Sequence, residues 1–255
     1  MTGDLPLSLL AICPRMLGLA VSAPGFSAAF VPPQVRVALA VALAVVLAPL
    51  IPVPQLDDAS LTASTYLALL VTELLLGLVM GFMATALLEM ARLAGEIVDL
   101  QIGFRAGSLY DPASGSASTE LGRLWFLAAL IFFFQLNGHH WLVAGLARSY
   151  SLCPVGSLVY QPQVTVVAVE LLAAQFSLAV RLAAPAIAAL ILADLALGLA
   201  GRGMPQMNLL MVGMPVKILV GLGALALCSP TLAPVLGQVL EVLEGQLTRL
   251  LQALA

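Results

Sequence analysis

Three stretches of this chain, Val37 to Leu56, Leu124 to Ala147 and Ile218 to Leu240, contain no charged residue. Each is about the ~20 residues a helix needs to cross ~30 Å of hydrocarbon, where an unsatisfied backbone N–H or C=O costs several kcal/mol. The class that follows is an all-α membrane protein. Composition agrees: 62% of the residues are hydrophobic and 9% charged, a balance a soluble domain does not need.

The charge that remains is spread thinly. Net charge is −3 and Lys217 is the only lysine, so there is no basic patch for nucleic acid or anionic headgroups. Nucleic acid is not an expected partner. Cys13, Cys153 and Cys228 are isolated in apolar sequence, without CxxC or metal spacing, and read as small buried hydrophobes. The N-terminus lacks a basic region, Arg15 interrupts its apolar run and Pro24 follows Ala20-Val21-Ser22-Ala23. It reads as a retained first segment rather than a cleaved signal.

Hydropathy and breakers predict six apolar segments, near residues 5–30, 37–52, 63–88, 124–147, 166–200 and 218–240, followed by an amphipathic tail. Placing alternate loops inside puts Arg36, Arg92, Arg105, Arg123, Arg202 and Lys217 on the cytoplasmic side, against Arg148 and Arg249 outside. The positive-inside rule then favours both termini outside. Several segments are nevertheless poor lipid-facing spans. Arg15 lies in the first, Glu73 in the third, and Glu170, Arg181 and Asp194 in the fifth, where Pro185 predicts a kink. A charge at mid-bilayer costs roughly 3 kcal/mol or more, so these groups should face protein, water or each other.

Gly77 and Gly81 form a GxxxG pair, which allows two helix backbones to approach closely. Glu89, Arg92, Glu96 and Asp99 share one helical face, with Arg92 spaced to pair with either glutamate. Both a solvated helix end and a face toward a partner or an aqueous lumen fit that spacing. In the tail, Gln238, Glu241, Gly245, Thr248 and Gln252 lie opposite Leu236, Leu240, Leu243, Leu247, Leu250 and Leu254. With Arg249 as its only cation, such a helix is expected to dock on protein rather than on a membrane surface. Met204, Met207, Met211 and Met214 also fall at helical spacing and read as packing filler, although Pro205, Gly213 and Pro215 argue against a continuous helix there.

Catalytic signatures are missing: the sequence has no HExxH, GxSxG, GxxxxGK[ST] or GxGxxG. His139 and His140 are adjacent, so on a helix they point about 100° apart and cannot share one metal as an i, i+4 pair can. They read as polar punctuation at a bend in FQLNGHHW. Neither an enzyme nor a cofactor is expected.

Three strings then stand out in order: AGEIVDLQIGF followed by YDP, FQLNGHHWL with RSYSLCPVG, and MPQMNLLMVGMPVKILVGL. In order and spacing, from about Pro14 to Leu222, they resemble the FliR family of type III export-gate proteins, found in flagella and in virulence secretion systems. The LQIGF and NGHHW strings lean to the flagellar branch; the virulence branch is the alternative. What the resemblance implies is a single-copy gate subunit of the bacterial inner membrane and flagellar basal body, assembled with FliP and FliQ beside FlhB and conducting unfolded flagellar proteins. Its fold would be an assembly of kinked helical hairpins, FliP-like in its first part and FliQ-like in its second. On that plan residues 1–102 form N-terminal hairpins, 103–119 a polar plug loop, 120–200 the middle and long kinked helices, and 201–255 a C-terminal hairpin with the amphipathic tail.

The resemblance also gives a role to GFRAGSLYDPASGSASTE, a small, polar, glycine-punctuated segment in a very apolar chain. The family carries a loop here that projects into the channel and helps block it. Such a loop tolerates a wet lumen and changes shape at small cost; a plain connecting loop has the same composition. The candidate plug residues are Gly103, Phe104, Arg105, Ala106, Gly107, Ser108, Tyr110, Asp111, Pro112 and Gly115, with Asp111-Pro112 predicting a turn. The candidate turn of the second hairpin comprises Pro205, Gln206, Asn208, Pro215 and Lys217. Outside the resemblance, a secondary transporter is a rival reading because of the ionisable groups in apolar segments.

Overall fold

The computed structural model describes residues 5–27, 31–51, 63–103, 120–157, 163–203 and 209–254. Among these every regular element is helical: α1 (Leu5–Ser22), α2 (Pro33–Leu47) running into a short 3-10 turn (Ala48–Leu50), α3 (Ala63–Ile102), α4 (Glu120–Gln135), α5 (Gly138–Leu152), α6 (Gln163–Gly203) and α7 (Leu209–Leu254). Each of the six predicted apolar segments is occupied by helix. Four stretches are long and apolar enough to cross a membrane, Pro33–Leu50, Ala63–Ile102, Thr165–Gly203 and Met211–Gln252, while Leu9–Ser22 is apolar but shorter. The molecule is an all-α membrane helical bundle.

The helices extend well past the hydropathy segments that announce them. α3 has 40 residues, α6 41 and α7 46. Apolarity in α3 falls off near Glu89, yet the helix continues, because Met90, Ala91, Ala94, Val98 and Ile102 keep a buried apolar face at helical spacing while Arg92 pairs with Glu89 and Glu96 on the part-exposed face. α7 corrects the expectation of an interruption: Gly213 and Pro215 both lie inside it, as do Pro230 and Pro234. Proline removes one rung of the hydrogen-bond ladder, but in apolar surroundings leaving the helix would expose many more backbone groups.

The fourth predicted segment is not one helix. α4 and α5 meet at a bend of 67°. Asn137 adopts φ 58°, the left-handed region in which Asn is tolerated. Its carbonyl accepts the N–H of His140 at 2.9 Å and of Trp141 at 3.2 Å, starting α5. Gly138 follows because a Cβ there would run into the Phe133 ring, 2.7 Å from its Cζ. The polar string FQLNGHHW is thus a bend, as its composition suggested.

The chain divides into two compact units, and α3, α4, α6 and α7 each pass from one to the other. The first comprises Met1–Leu87, Phe133–Leu172 and Val239–Ala255. Its core is built from Ile12, Met16, Leu76, Met80, Phe133 and Leu146. The end of α7 contributes Leu243, Leu247, Leu250 and Leu251, all buried, while Gln238, Gly245 and Gln252 are exposed. The amphipathic tail therefore packs its leucine face on the chain's own first unit. The second unit comprises Leu88–Phe132 and Ala173–Gln238, with Leu88, Met90, Val98, Trp125, Leu190 and Leu232 at its centre.

Candidate functional site

In the first unit, α1 and α3 touch backbone to backbone. A Cβ on Gly18 would lie 2.7 Å from the Leu78 nitrogen, and one on Gly77 would meet the Arg15 carbonyl and come within 2.9 Å of the Leu19 nitrogen. Gly81 completes the contact against Ser22 and Ala23. Within it, Ser22 Oγ donates to Gly18 O at 2.7 Å and Thr85 Oγ1 donates to Ser22 O. The GxxxG pair of α3 is therefore used inside the chain, against a glycine of α1, and its effect is to bring Arg15 onto α3.

Arg15 is 0% exposed and Glu73 1%. Nε donates to Glu73 Oε2 at 2.8 Å and Nη2 to Oε1 at 3.1 Å, a bidentate fork. Nη1 donates to Ser149 Oγ at 3.0 Å and to the Cys153 carbonyl at 3.2 Å, and Nη2 reaches the same carbonyl at 3.1 Å. These contacts occupy the five N–H groups of a guanidinium. On the acid side, Glu73 Oε1 also accepts the Gly156 N–H at 3.2 Å. The Tyr150 ring lies 4.0 Å from the guanidinium carbon, and its hydroxyl donates to Ile12 O at 3.2 Å.

Two buried charges are thus neutralised together, as their place in apolar segments demanded. Burying each alone costs several kcal/mol, and the fork with its extra hydrogen bonds offsets that cost. Sequence reasoning singled out both charges, but Ser149, Tyr150 and the Cys153 carbonyl were missed; nothing in RSYSLCPVG marks them as a guanidinium cradle. The cluster ties α1, α3, α5 and the turn after α5 into one body. With every donor of its guanidinium engaged, the cluster holds structure.

The second unit contains the predicted polar face. Arg92 pairs with Glu89 and with Glu96, each at 3.3 Å, and all three side chains are part-exposed. Asp99 differs from them: it is 0% exposed, and its Oδ2 accepts the Leu121 N–H at 3.3 Å, capping the first turn of α4. α3 ends at Gly103, whose φ of 93° suits glycine and whose N–H returns to Asp99 O at 3.1 Å. Beside that end lies a cavity of about 490 Å³, lined by Gln101, Gly103, Asp194, Met214 and Lys217 among others. Lys217 Nζ forms an ion pair with Asp194 Oδ1, joining α6 to α7.

Of the candidate plug, only Gly103 is among the described residues; Phe104, Arg105, Ala106, Gly107, Ser108, Tyr110, Asp111, Pro112 and Gly115 lie outside them. The same holds for Pro205, Gln206 and Asn208 of the candidate turn, whereas Pro215 and Lys217 lie inside α7. Met211 and Met214 are exposed, Met211 at 77%, so within this chain they are not packing filler. Glu170 and Arg181 are exposed on α6.

Comparison with known proteins gives one consistent result. Residues 7–243 match the model of a family described as bacterial export proteins, family 1. Flagellar biosynthetic protein FliR of Escherichia coli K12 is 31% identical over 220 residues, covering 86% of this chain and 83% of that protein. FliR of Bacillus subtilis 168 is 30% identical over 245 residues, 94% of this chain and 92% of that one. Surface presentation of antigens protein SpaR of Shigella flexneri is 30% identical over 165 residues, 64% of this chain and 63% of its own. With nearly its whole length matched, the chain belongs to the bacterial export proteins, family 1, the family of the FliR proteins.

Proposed function

We propose that this chain is the FliR-type subunit of a flagellar type III export gate in the bacterial inner membrane, assembled with FliP and FliQ beside FlhB around a passage for unfolded flagellar proteins. The observation that carries this reading is the mismatch between helix length and bilayer. At 1.5 Å per residue the 41 residues of α6 span about 61 Å. Even tilted by about 40°, the steep end of the usual range, it would cover roughly 47 Å against ~30 Å of hydrocarbon. Yet its exposed apolar residues run from Val166 and Val169 through Phe176 and Val180 to Ile191, Leu195 and Leu199. No placement in a membrane covers that stripe, so part of it needs cover from other protein chains.

The flagellar branch is supported by the FliR relatives, which align over more of their own length than SpaR does. The segment beginning at Gly103 is assigned the plug, because its small, polar residues tolerate water, which a lipid-facing or core segment does not. The FliQ-like hairpin expected of 201–255 is assigned instead to α6 with α7, which the Asp194–Lys217 pair joins, because α7 fills 209–254 as one helix.

Co-expression tests the reading. Expressed with its FliP and FliQ, the chain should purify in one detergent-stable complex, and the same set should restore motility to a flagellated host lacking FliR. A stable, monodisperse, solute-binding monomer that ignores those partners would instead support a secondary transporter.

A further inference from the structure

Arg181 lies well inside the apolar Thr165–Gly203 stretch, and its side chain is exposed without an ionic partner among the described residues. Two other cations inside apolar helices are paired within the chain: Arg15 with Glu73, and Lys217 with Asp194. On the same face, Ser177 precedes Arg181 by four residues, and Ala184 and Ala188 follow it by three and seven. All three are exposed, flanked by the exposed apolar side chains of Phe176 and Val180. Small residues one turn apart let a second helix lie close against the first. A guanidinium in the middle of such a face brings a positive charge and five N–H donors to it. Lipid hydrocarbon does not neutralise it, and a purely apolar partner would leave it buried and uncompensated.

We propose that this face of α6 is the seat of an apolar helix from a different chain, and that the helix carries an aspartate or glutamate set against Arg181. The inference rests on the gate-subunit reading and adds the chemistry of the partner. Small residues set the close approach, and the single charge fixes the register of the partner helix along α6. A bidentate arginine–carboxylate pair has a defined geometry that a lysine cannot reproduce. Sliding the partner by one residue would turn its carboxylate away from the guanidinium.

The test uses the full chain co-expressed with FliP and FliQ in membranes. A photo-cross-linking amino acid replaces Ala184 or Ala188, and the adduct is mapped by mass spectrometry. The expected adduct is to a helix of another chain with an Asp or Glu within about one turn of the cross-linked residue. Arg181→Glu should then reduce the recovered complex at least tenfold, and a reciprocal acid-to-arginine change at the mapped position should restore it. Circular dichroism of the purified Arg181→Glu chain checks that the helices remain. Adducts to lipid alone, a mapped helix without a carboxylate, or an Arg181→Glu complex recovered like the parent overturns the proposal. Failure of the unaltered chain to form any complex would instead overturn the gate reading beneath it.

Discussion

Arg15 and Glu73 show what a single residue contributes in this chain. Both charges are conspicuous in the sequence because each interrupts an apolar run, and physics requires that they find partners. Their mutual pairing, across 58 positions, was not legible, since it depends on the Gly18 and Gly77 contact that aligns α1 with α3. Replacing one member leaves the other buried and uncompensated, so Arg15→Met should cost about 3–5 kcal/mol. The double change Arg15→Met with Glu73→Leu should cost less than Arg15→Met alone. Denaturant titration of the detergent-purified chain in a double-mutant cycle measures this, and strictly additive single effects would refute the coupling.

At the scale of elements, the existence of helices was readable and their ends were not. Hydropathy falls at Glu89, but helix continuation depends on which face is buried, and α3 keeps Ala94, Val98 and Ile102 buried beyond that point. Proline was misleading for a related reason: Pro215 marks a break in a soluble chain but is carried inside α7 here. The bend at Asn137 was legible because its residues are the ones a left-handed junction tolerates. Asn137→Val should therefore destabilise the chain by about 1–2 kcal/mol, the cost of a left-handed residue with a branched Cβ, whereas Asn137→Gly should leave its thermal unfolding close to that of the parent. Equal losses in both variants would mean that the Asn137 side chain, not the backbone conformation, matters at this position.

At the scale of the whole molecule, the chain reads as one part of a larger object. Its polar linker follows Gly103 at the end of α3, and three of its helices are about twice as long as the hydrocarbon core of a bilayer is thick. If the linker is the plug, removing Gly107 to Ser116 should leave complex recovery unchanged while raising leakage of small ions through membranes holding the complex. An assembled variant that leaks no more than the parent would remove the plug assignment. The export role was legible only through the ordered resemblance of three strings; composition alone leads no further than an apolar helical bundle, because gate subunits, transporters and channels obey the same hydropathy.

The central claim is that the exposed apolar stripe of α6 is covered in part by other protein chains rather than by lipid alone, and spin-label accessibility tests it most directly. Labels placed singly at Val166, Phe176, Ile191 and Leu199 would be read for collision with lipid-dissolved oxygen and with a water-soluble nickel complex, in the chain alone and co-assembled with FliP and FliQ. The account predicts that assembly makes most of these positions inaccessible to both probes. Oxygen accessibility that stays high at all four positions and is indifferent to the partners would contradict it.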